Sequence, residues 1–161
     1  MRRRAVASAA SGETLEGVAT PSGQDWTGIA AMSSEAGKLY ELVDGGEDLG
    51  VLSYDLETMD HEVVPLEDGS VEGEVLAMAS RPRDLIVAVA AAEAVRIERW
   101  HRYPGKPYTR ALVATFPDLG PVDEAHIRSV NRDGVLVSLV HESETVLFRM
   151  AIHGRCARSV K

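Results

Sequence analysis

The chain has little cysteine, few aromatic side chains and no excess of positive charge, and each shortage excludes something. Cys156 is its one cysteine, which excludes an internal disulfide and a metal cluster held by cysteines. Phe, Trp and Tyr make up 5% of the 161 residues, so the core must be built mainly from Val, Leu, Ala and Ile. A formal net charge of −8 argues against a general nucleic-acid binder and against binding to anionic membranes, because both need a basic face.

The sequence also lacks any run near the roughly 18–20 apolar residues that a membrane-spanning helix needs. Its first residues, with Arg2, Arg3 and Arg4 ahead of a short Ala-rich segment, imitate a secretion signal, but that segment contains no Leu, Ile or Phe. A turn-forming Pro-Ser-Gly sequence follows. We therefore interpret residues 1–25 as a flexible arm or an extra edge strand. We expect a protein that is cytoplasmic or part of a larger particle, not a secreted one.

What the sequence does contain is a regular alternation of apolar runs and turns. From Trp26 onwards, short runs rich in Val, Leu and Ile are separated by Gly, Asp and Pro at intervals of about ten residues. Hydrophobic residues make up 45% of the chain, which is enough to bury a core of ordinary size. The pattern predicts a single all-β domain over residues 26–161.

The apolar runs recur in the same order three times, with matching positions about 46 to 52 residues apart. The first two copies have four runs each, and the third copy has three. In the third copy only residues 155–160 could supply a fourth run. Copy by copy, the runs are residues 29–34, 39–43, 51–56 and 62–66, then 75–80, 85–89, 95–100 and 110–115, then 127–132, 136–140 and 146–150. They predict three β units over approximately residues 26–70, 71–121 and 122–161.

One segment of the second copy carries a competing signal. Residues 86–100 contain five alanines, and alanine favours a helix. The first half of the segment is rich in β-branched residues, however, and its runs match those of the other copies. We therefore predict two strands joined by a turn at residues 90–94, and not one helix.

The first copy has the order of elements found in one class of repeat protein. The sequence Gly37-Lys-Leu-Tyr-Glu-Leu-Val43 is followed by residues 49–58, which end in Asp55-Leu-Glu-Thr58, and then by an outer run at residues 62–66. This order resembles a β-propeller blade of the WD-repeat or YVTN families, and as a pattern it extends over about 125 residues. The Trp-Asp and Gly-His signatures are not part of it, so we transfer no site residues from those families.

The resemblance implies an all-β fold of three consecutive four-stranded antiparallel propeller-like blades. Because closed propellers have four or more blades, three would form a partial propeller or one completed by oligomerisation. A repeat array also exposes a face at each end, and that face must be capped or paired. Three ways of completing the array stay open: strands from the N-terminal segment, a second copy of the chain, or a larger assembly.

Signatures of catalysis and metal binding are few. Asp60, His61 and Glu62 stand in a row, but adjacent residues of a strand point to opposite faces, so we interpret them as a solvated turn. The acidic turn at residues 44–47 lacks the pattern of a phosphate loop and would repel phosphate. We therefore predict no catalytic residue, no metal and no cofactor.

Contact surfaces are predicted where aromatic and charged side chains concentrate. The Pro- and Gly-rich loop after the third run of the second copy combines aromatic rings with cations, which suits a protein interface. An acidic strip at residues 41–48 and the Arg-rich arm are further candidates. The predicted partner-binding residues are Trp100, Arg102, Tyr103, Tyr108, Glu41, Asp48, Arg2, Arg3 and Arg4.

These observations favour a non-enzymatic protein–protein interaction or assembly subunit, which binds a protein partner or associates with itself. Propeller-like blades present flat faces and loops to partners, and three blades leave a face that must be buried. The alternative is a sugar-binding module or a hydrolase whose site lies at a propeller mouth completed by oligomerisation. In that case four acids at the turns of the blades would converge there, namely Asp84, Asp133, Glu142 and Glu144.

Overall fold

Strands joined by short turns make up most of the chain that the structure describes. The residues that the structure describes contain no α-helix, which confirms the predicted all-β class. The structure is a computed structural model, and it describes residues 6–7, 14–15, 27–35, 37–46, 48–81, 84–92, 94–117, 122–131, 133–142 and 144–152.

The described residues form the following strands, given in chain order. They are β1 (Val6–Ala7), β2 (Thr14–Leu15), β3 (Thr27–Glu35), β4 (Lys38–Asp44), β5 (Leu49–Asp55), β6 (His61–Pro65), β7 (Glu74–Arg81), β8 (Asp84–Ala91), β9 (Ala94–Arg102), β10 (Tyr108–Phe116), β11 (Glu124–Asn131), β12 (Gly134–His141) and β13 (Glu144–Ala151).

The strands from β3 onwards form three antiparallel sheets, each with its strands side by side in chain order. The first sheet contains β3–β6, the second contains β7–β10 and the third contains β11–β13, while β1 and β2 pair with each other. The predicted fourth strand of the third copy, residues 155–160, lies outside the described residues. As far as the described chain goes, no sheet closes on itself, and the propeller arrangement stays a prediction.

The hydrogen-bond registers measure the repeat. The second strands β4, β8 and β12 pair with the third strands β5, β9 and β13 in equivalent registers, so equivalent positions lie 46 and then 50 residues apart. The register therefore makes Val135 the equivalent of Leu85. The comparison of apolar runs aligns Leu85 with Leu136 instead. Because a shift of one residue moves a side chain to the opposite face of a sheet, Leu136 faces away from the second sheet.

Two apolar layers hold the three sheets face to face. One layer lies between the first and second sheets, and the other lies between the second and third sheets. Their larger members are, in the first layer, Leu42, Val51, Leu85, Val87, Val89 and Trp100 and, in the second layer, Ile86, Ile97, Val135, Val137, Leu139 and Met150. The second sheet is therefore the middle of the stack.

Strand β8 shows how the middle sheet is built. Six consecutive residues from Asp84 onwards are buried. Leu85 and Val87 pack in the first layer, whereas Ile86 and Ala88 pack in the second. A strand covered on both faces has a continuous apolar run in place of alternation. The alanine-rich segment therefore forms β8 and β9 with a tight turn between them, which confirms the prediction of two strands.

A glycine before β7 is required by the close approach of β8. Gly73 has φ +118°, and a Cβ atom on it would overlap the carbonyl oxygen of Ala90. Gly105 has φ +72°, and no atom lies within 4 Å of the place that a Cβ atom on it would take, so it is a matched control. We expect Gly105→Ala to lower the free energy of unfolding by about 1–2 kcal/mol, the cost of a left-handed residue.

We expect Gly73→Ala to lower the free energy of unfolding by about 3 kcal/mol or more, because backbone atoms must also move to relieve the overlap with Ala90. Urea unfolding of the two variants measures the difference. Equal losses would show that Gly73 is needed for its backbone angle alone.

Candidate functional site

A polar cleft of about 150 Å³ opens between the first and second sheets, beside their shared apolar layer. It lies where β4 and β8 begin and where β9 ends. We call it the seam cleft. Its polar lining consists of Lys38, Tyr40, Ser53, Glu62, Arg81, Asp84, Arg102 and Tyr108.

An ion pair across the seam cleft joins the two sheets. Arg102 at the end of β9 donates two hydrogen bonds to the carboxylate of Glu62 on β6, Nη1 to Oε1 at 2.7 Å and Nη2 to Oε2 at 3.2 Å. These bonds hold the pKa of Glu62 below its usual range, against the opposing effect of burial. They also raise the pKa of Arg102. The two-pronged geometry fixes how β9 lies relative to β6.

A buried carboxylate lies on the second-sheet side of the cleft. Asp84, the first residue of β8, is 6% exposed, and its Oδ2 accepts a hydrogen bond from Arg99 Nε at 2.6 Å. Arg81, directly opposite Asp84 in the β7–β8 hairpin, places its Nε 3.4 Å from Oδ1. A buried charge must be paired in this way, because its removal from water is costly. Asp84 therefore ties three strands of the second sheet together.

Two tyrosines complete the lining. Burial raises the pKa of Tyr108 to about 12, and the nearby phenol of Tyr40 acts in the same direction. The hydroxyl of Tyr108 is therefore protonated at neutral pH and is able to donate a hydrogen bond.

The charges of the seam cleft nearly balance. Lys38, Arg81 and Arg102 face two carboxylates, those of Glu62 and Asp84, and each carboxylate already has an arginine partner. The arrangement therefore acts first as a polar connection between two sheets. The single surplus positive charge and the tyrosine hydroxyls are of the type that binds small anions.

The structure places the aromatic residue that begins the predicted interface loop in the core. Trp100 is fully buried in the first layer, and its Nε1 donates to Oε2 of Glu98 at 2.9 Å. Glu98 is itself 6% exposed and also receives Arg110 Nη1 at 3.4 Å. Trp100 is therefore a packing residue in this chain and presents no surface to a partner.

The other predicted partner-binding residues are dispersed. Arg102 and Tyr108 line the seam cleft, whereas Tyr103 is 65% exposed and stands edge-on to His101 with ring centroids 4.6 Å apart. Asp48 is exposed, and Glu41 is half-buried on the face of the first sheet that points away from the second. The three arginines of the N-terminal arm lie outside the described residues, namely Arg2, Arg3 and Arg4.

A second candidate surface lies on the third sheet. Alternate residues of its strands pack on the second sheet in the second layer, so the residues between them point to the other side. We call this side the outer face. It carries Glu124, His126 and Arg128 on β11, Leu136, Ser138 and Val140 on β12, and Thr145, Leu147 and Arg149 on β13.

The outer face is uncovered where the other sheets are covered. Leu147 is 59% exposed, whereas its equivalents Val51 in the first sheet and Ile97 in the second are 1% and 0% exposed. In both of those sheets the next sheet of the stack covers the position. None of its residues is among those predicted from the sequence to bind a partner. The available signal was the run Val146-Leu147-Phe148, which is apolar toward both sides of β13.

Other chemistry gains no support from the described residues. They contain no group of three His, Cys, Asp or Glu side chains placed to hold a metal ion. They also contain no helix long and apolar enough to cross a membrane. Comparisons with protein-family models, curated proteins and solved structures find no match to this chain. The geometry of the seam cleft and of the outer face must therefore carry the argument about function.

The buried Asp84 gives a direct test of the ionic connection between strands of the second sheet. Asp84→Asn leaves the arginines beside it without a counter-charge, and we expect a loss of about 2–4 kcal/mol in the free energy of unfolding. The matched control is Asp68→Asn, because Asp68 pairs with Arg110 at 3.1 Å but is 62% exposed on its side chain. We expect that control to lose less than about 1 kcal/mol. A similar loss in both variants, measured by urea unfolding, would contradict the role of burial.

The pair across the cleft predicts a dependence of stability on pH. Because the pKa of Glu62 is lower in the folded protein than its ordinary value of 4.5, its contribution is fully present above about pH 4.5. The contribution is lost as the pH falls through the folded pKa. Since the side chain of Glu62 is 53% exposed, we expect it to be worth less than about 1 kcal/mol.

Glu62→Gln should therefore lower the melting temperature near pH 7 and leave it unchanged near pH 2. Thermal unfolding over this range provides the measurement. In an Arg102→Met background, where the pairing group is gone, the same substitution should have little effect at any pH. If Glu62→Gln still lowered the melting temperature in that background, the effect would come from a neighbour of Glu62 other than Arg102.

Proposed function

We propose that this chain is a non-enzymatic assembly subunit, a propeller-like stack of sheets that associates through the outer face of its third sheet. The exposure of Leu147 carries the proposal, because equivalent positions are buried wherever a further sheet follows. A stack of repeated sheets is complete only when its last face is capped or paired.

The composition of the outer face supports an interface. Leu136 and Val140 lie on the middle strand on either side of Ser138, Leu147 lies beside Ser138 on β13, and the charged residues stand toward the ends of the outer strands. Apolar residues bordered by charged ones are common in protein interfaces. Burying a leucine such as Leu147 is worth about 1.5–3 kcal/mol, so a covered face is favoured over a hydrated one.

The competing interpretation, a sugar-binding module or hydrolase, has less support. Its four acids would have to meet, but Asp84 and Asp133 lie where β8 and β12 begin. Glu142 and Glu144 lie where β12 ends and β13 begins, so the length of β12, about 26 Å, separates the two pairs. We therefore place the function in the outer face and not in a shared acidic site.

The oligomeric state of purified protein tests the proposal. We expect the wild-type chain to self-associate, as measured by sedimentation equilibrium from about 5 µM to about 1 mM. Leu147→Glu places a charge on the most exposed apolar residue of the outer face and should weaken association by tenfold or more. The matched control is Leu112→Glu, because Leu112 is equally exposed, at 63%, but lies on the edge strand β10 of the second sheet.

The control should associate as the wild type does, and circular dichroism should show that both variants keep the β fold. A wild-type chain that stays monomeric at about 1 mM would overturn the proposal. Equal weakening by Leu112→Glu would move the contact away from the outer face.

A further inference from the structure

We infer that the outer face binds the outer face of a second copy of this chain, through a two-fold axis that runs between the sheets and perpendicular to the strands. The inference rests on the proposed function and adds the identity and orientation of the partner. It follows from the number of open faces, from the register of the third sheet and from its charges.

Among the described residues one apolar sheet face is open, and this favours a symmetric pair. Head-to-tail stacking would need the far face of the first sheet, but that face is already covered within the chain. Its residues Val43, Leu52 and Tyr54 are 1%, 1% and 3% exposed. The outer face of the third sheet is therefore the end of the stack that still offers an apolar surface. A surface that pairs with an identical surface forms a closed dimer with two-fold symmetry, the commonest arrangement among oligomers.

The register arranges the outer face in three rows across the strands. The first row contains the acid, the middle row contains the exposed leucine, and the last row contains both arginines. From one end of the strands to the other, the rows are Glu124, Val140 and Thr145, then His126, Ser138 and Leu147, and then Arg128, Leu136 and Arg149.

A two-fold axis perpendicular to the strands superimposes opposite rows. The first row of one copy then lies over the last row of the other, with β11 over β11. Glu124 meets Arg128 of the second copy, and Val140 meets Leu136 of the second copy. The middle rows meet each other, so Leu147 packs against its own symmetry mate. Rows in a strand are about 7 Å apart, so long Glu and Arg side chains reach across the small twist between packed sheets.

The other in-plane axis is disfavoured by charge. An axis parallel to the strands would superimpose equal rows, with β11 of one copy over β13 of the other. Arg128 would then face Arg149 of the second copy, and this like-charge contact would occur twice. The perpendicular axis replaces these contacts by two opposite-charge contacts between Glu124 and Arg128. Electrostatic complementarity therefore selects the orientation.

The size of the face sets the expected strength. Three strands of eight residues cover an area of about 14 by 26 Å, which is smaller than a standard interface. Within one chain Glu124 already contacts His126, with Oε1 and Nε2 3.0 Å apart, and a carboxylate has acceptor sites for a second partner. We therefore expect a dimer that forms at micromolar to millimolar concentration.

Charge reversal with mixing tests the orientation. Glu124→Arg creates a chain with two arginines on β11, and Arg128→Glu creates a chain with two glutamates there. Each variant alone should associate at least tenfold more weakly than the wild type in sedimentation equilibrium. An equimolar mixture should restore association as a one-to-one heterodimer, because every arginine then meets a glutamate. The double variant, Glu124→Arg with Arg128→Glu, should also associate as the wild type does.

The control Glu57→Arg changes charge equally in the turn after β5, away from the outer face, and should leave association unchanged. If Leu147→Glu abolishes association but the mixture stays as weak as the single variants, the proposed function stands and the two-fold pairing is wrong. If the wild type itself stays monomeric at about 1 mM, the proposed function and the pairing are both overturned.

Discussion

Face-to-face packing of apolar sheet surfaces is the constraint on which the rest of this structure depends. The second sheet contributes to both apolar layers, so residues 85–89 of β8 are apolar on both sides. The layers contain mainly Val, Leu and Ile because aromatic residues are few. Trp100 is the largest aromatic residue in them, and it can be buried because its indole N–H reaches Glu98 while its ring fills the first layer.

Charged groups are placed where that packing ends. Asp84 and Glu98 each receive an arginine from a neighbouring strand of the second sheet, whereas Glu62 of the first sheet receives Arg102 of the second. Such pairs add little net stability, because removing the ions from water offsets most of their attraction. We interpret the pair of Glu62 with Arg102 as fixing the relative position of the first two sheets, since a displaced sheet would leave this carboxylate unpaired. The pairs of Asp84 and Glu98 connect strands within the second sheet. The seam cleft is the solvent-facing end of this arrangement.

The sequence predicted the strands far better than it predicted the surfaces. Apolar runs locate strands because each run is a local property, and even the alanine-rich segment was correctly divided into β8 and β9. Which face a residue occupies depends on single-residue register, and the one-residue misalignment of Leu136 with Leu85 hid the outer face. Trp100 was assigned to an interface because a Pro- and Gly-rich loop follows it. Its burial depends on a neighbouring sheet that is distant in sequence.

The outer face is intermediate between an internal layer and an ordinary surface. The equivalent faces of the first two sheets are buried by their neighbours, and their centres are apolar. The third sheet has Ser138 at the corresponding centre, keeps apolar residues around it in Leu136, Val140 and Leu147, and adds charges such as Glu124 and Arg128. A permanently buried layer would exclude such charges, because their removal from water is costly. The mixture fits the association that we propose, since the charges favour hydration of the free face and the apolar residues favour its burial in a dimer.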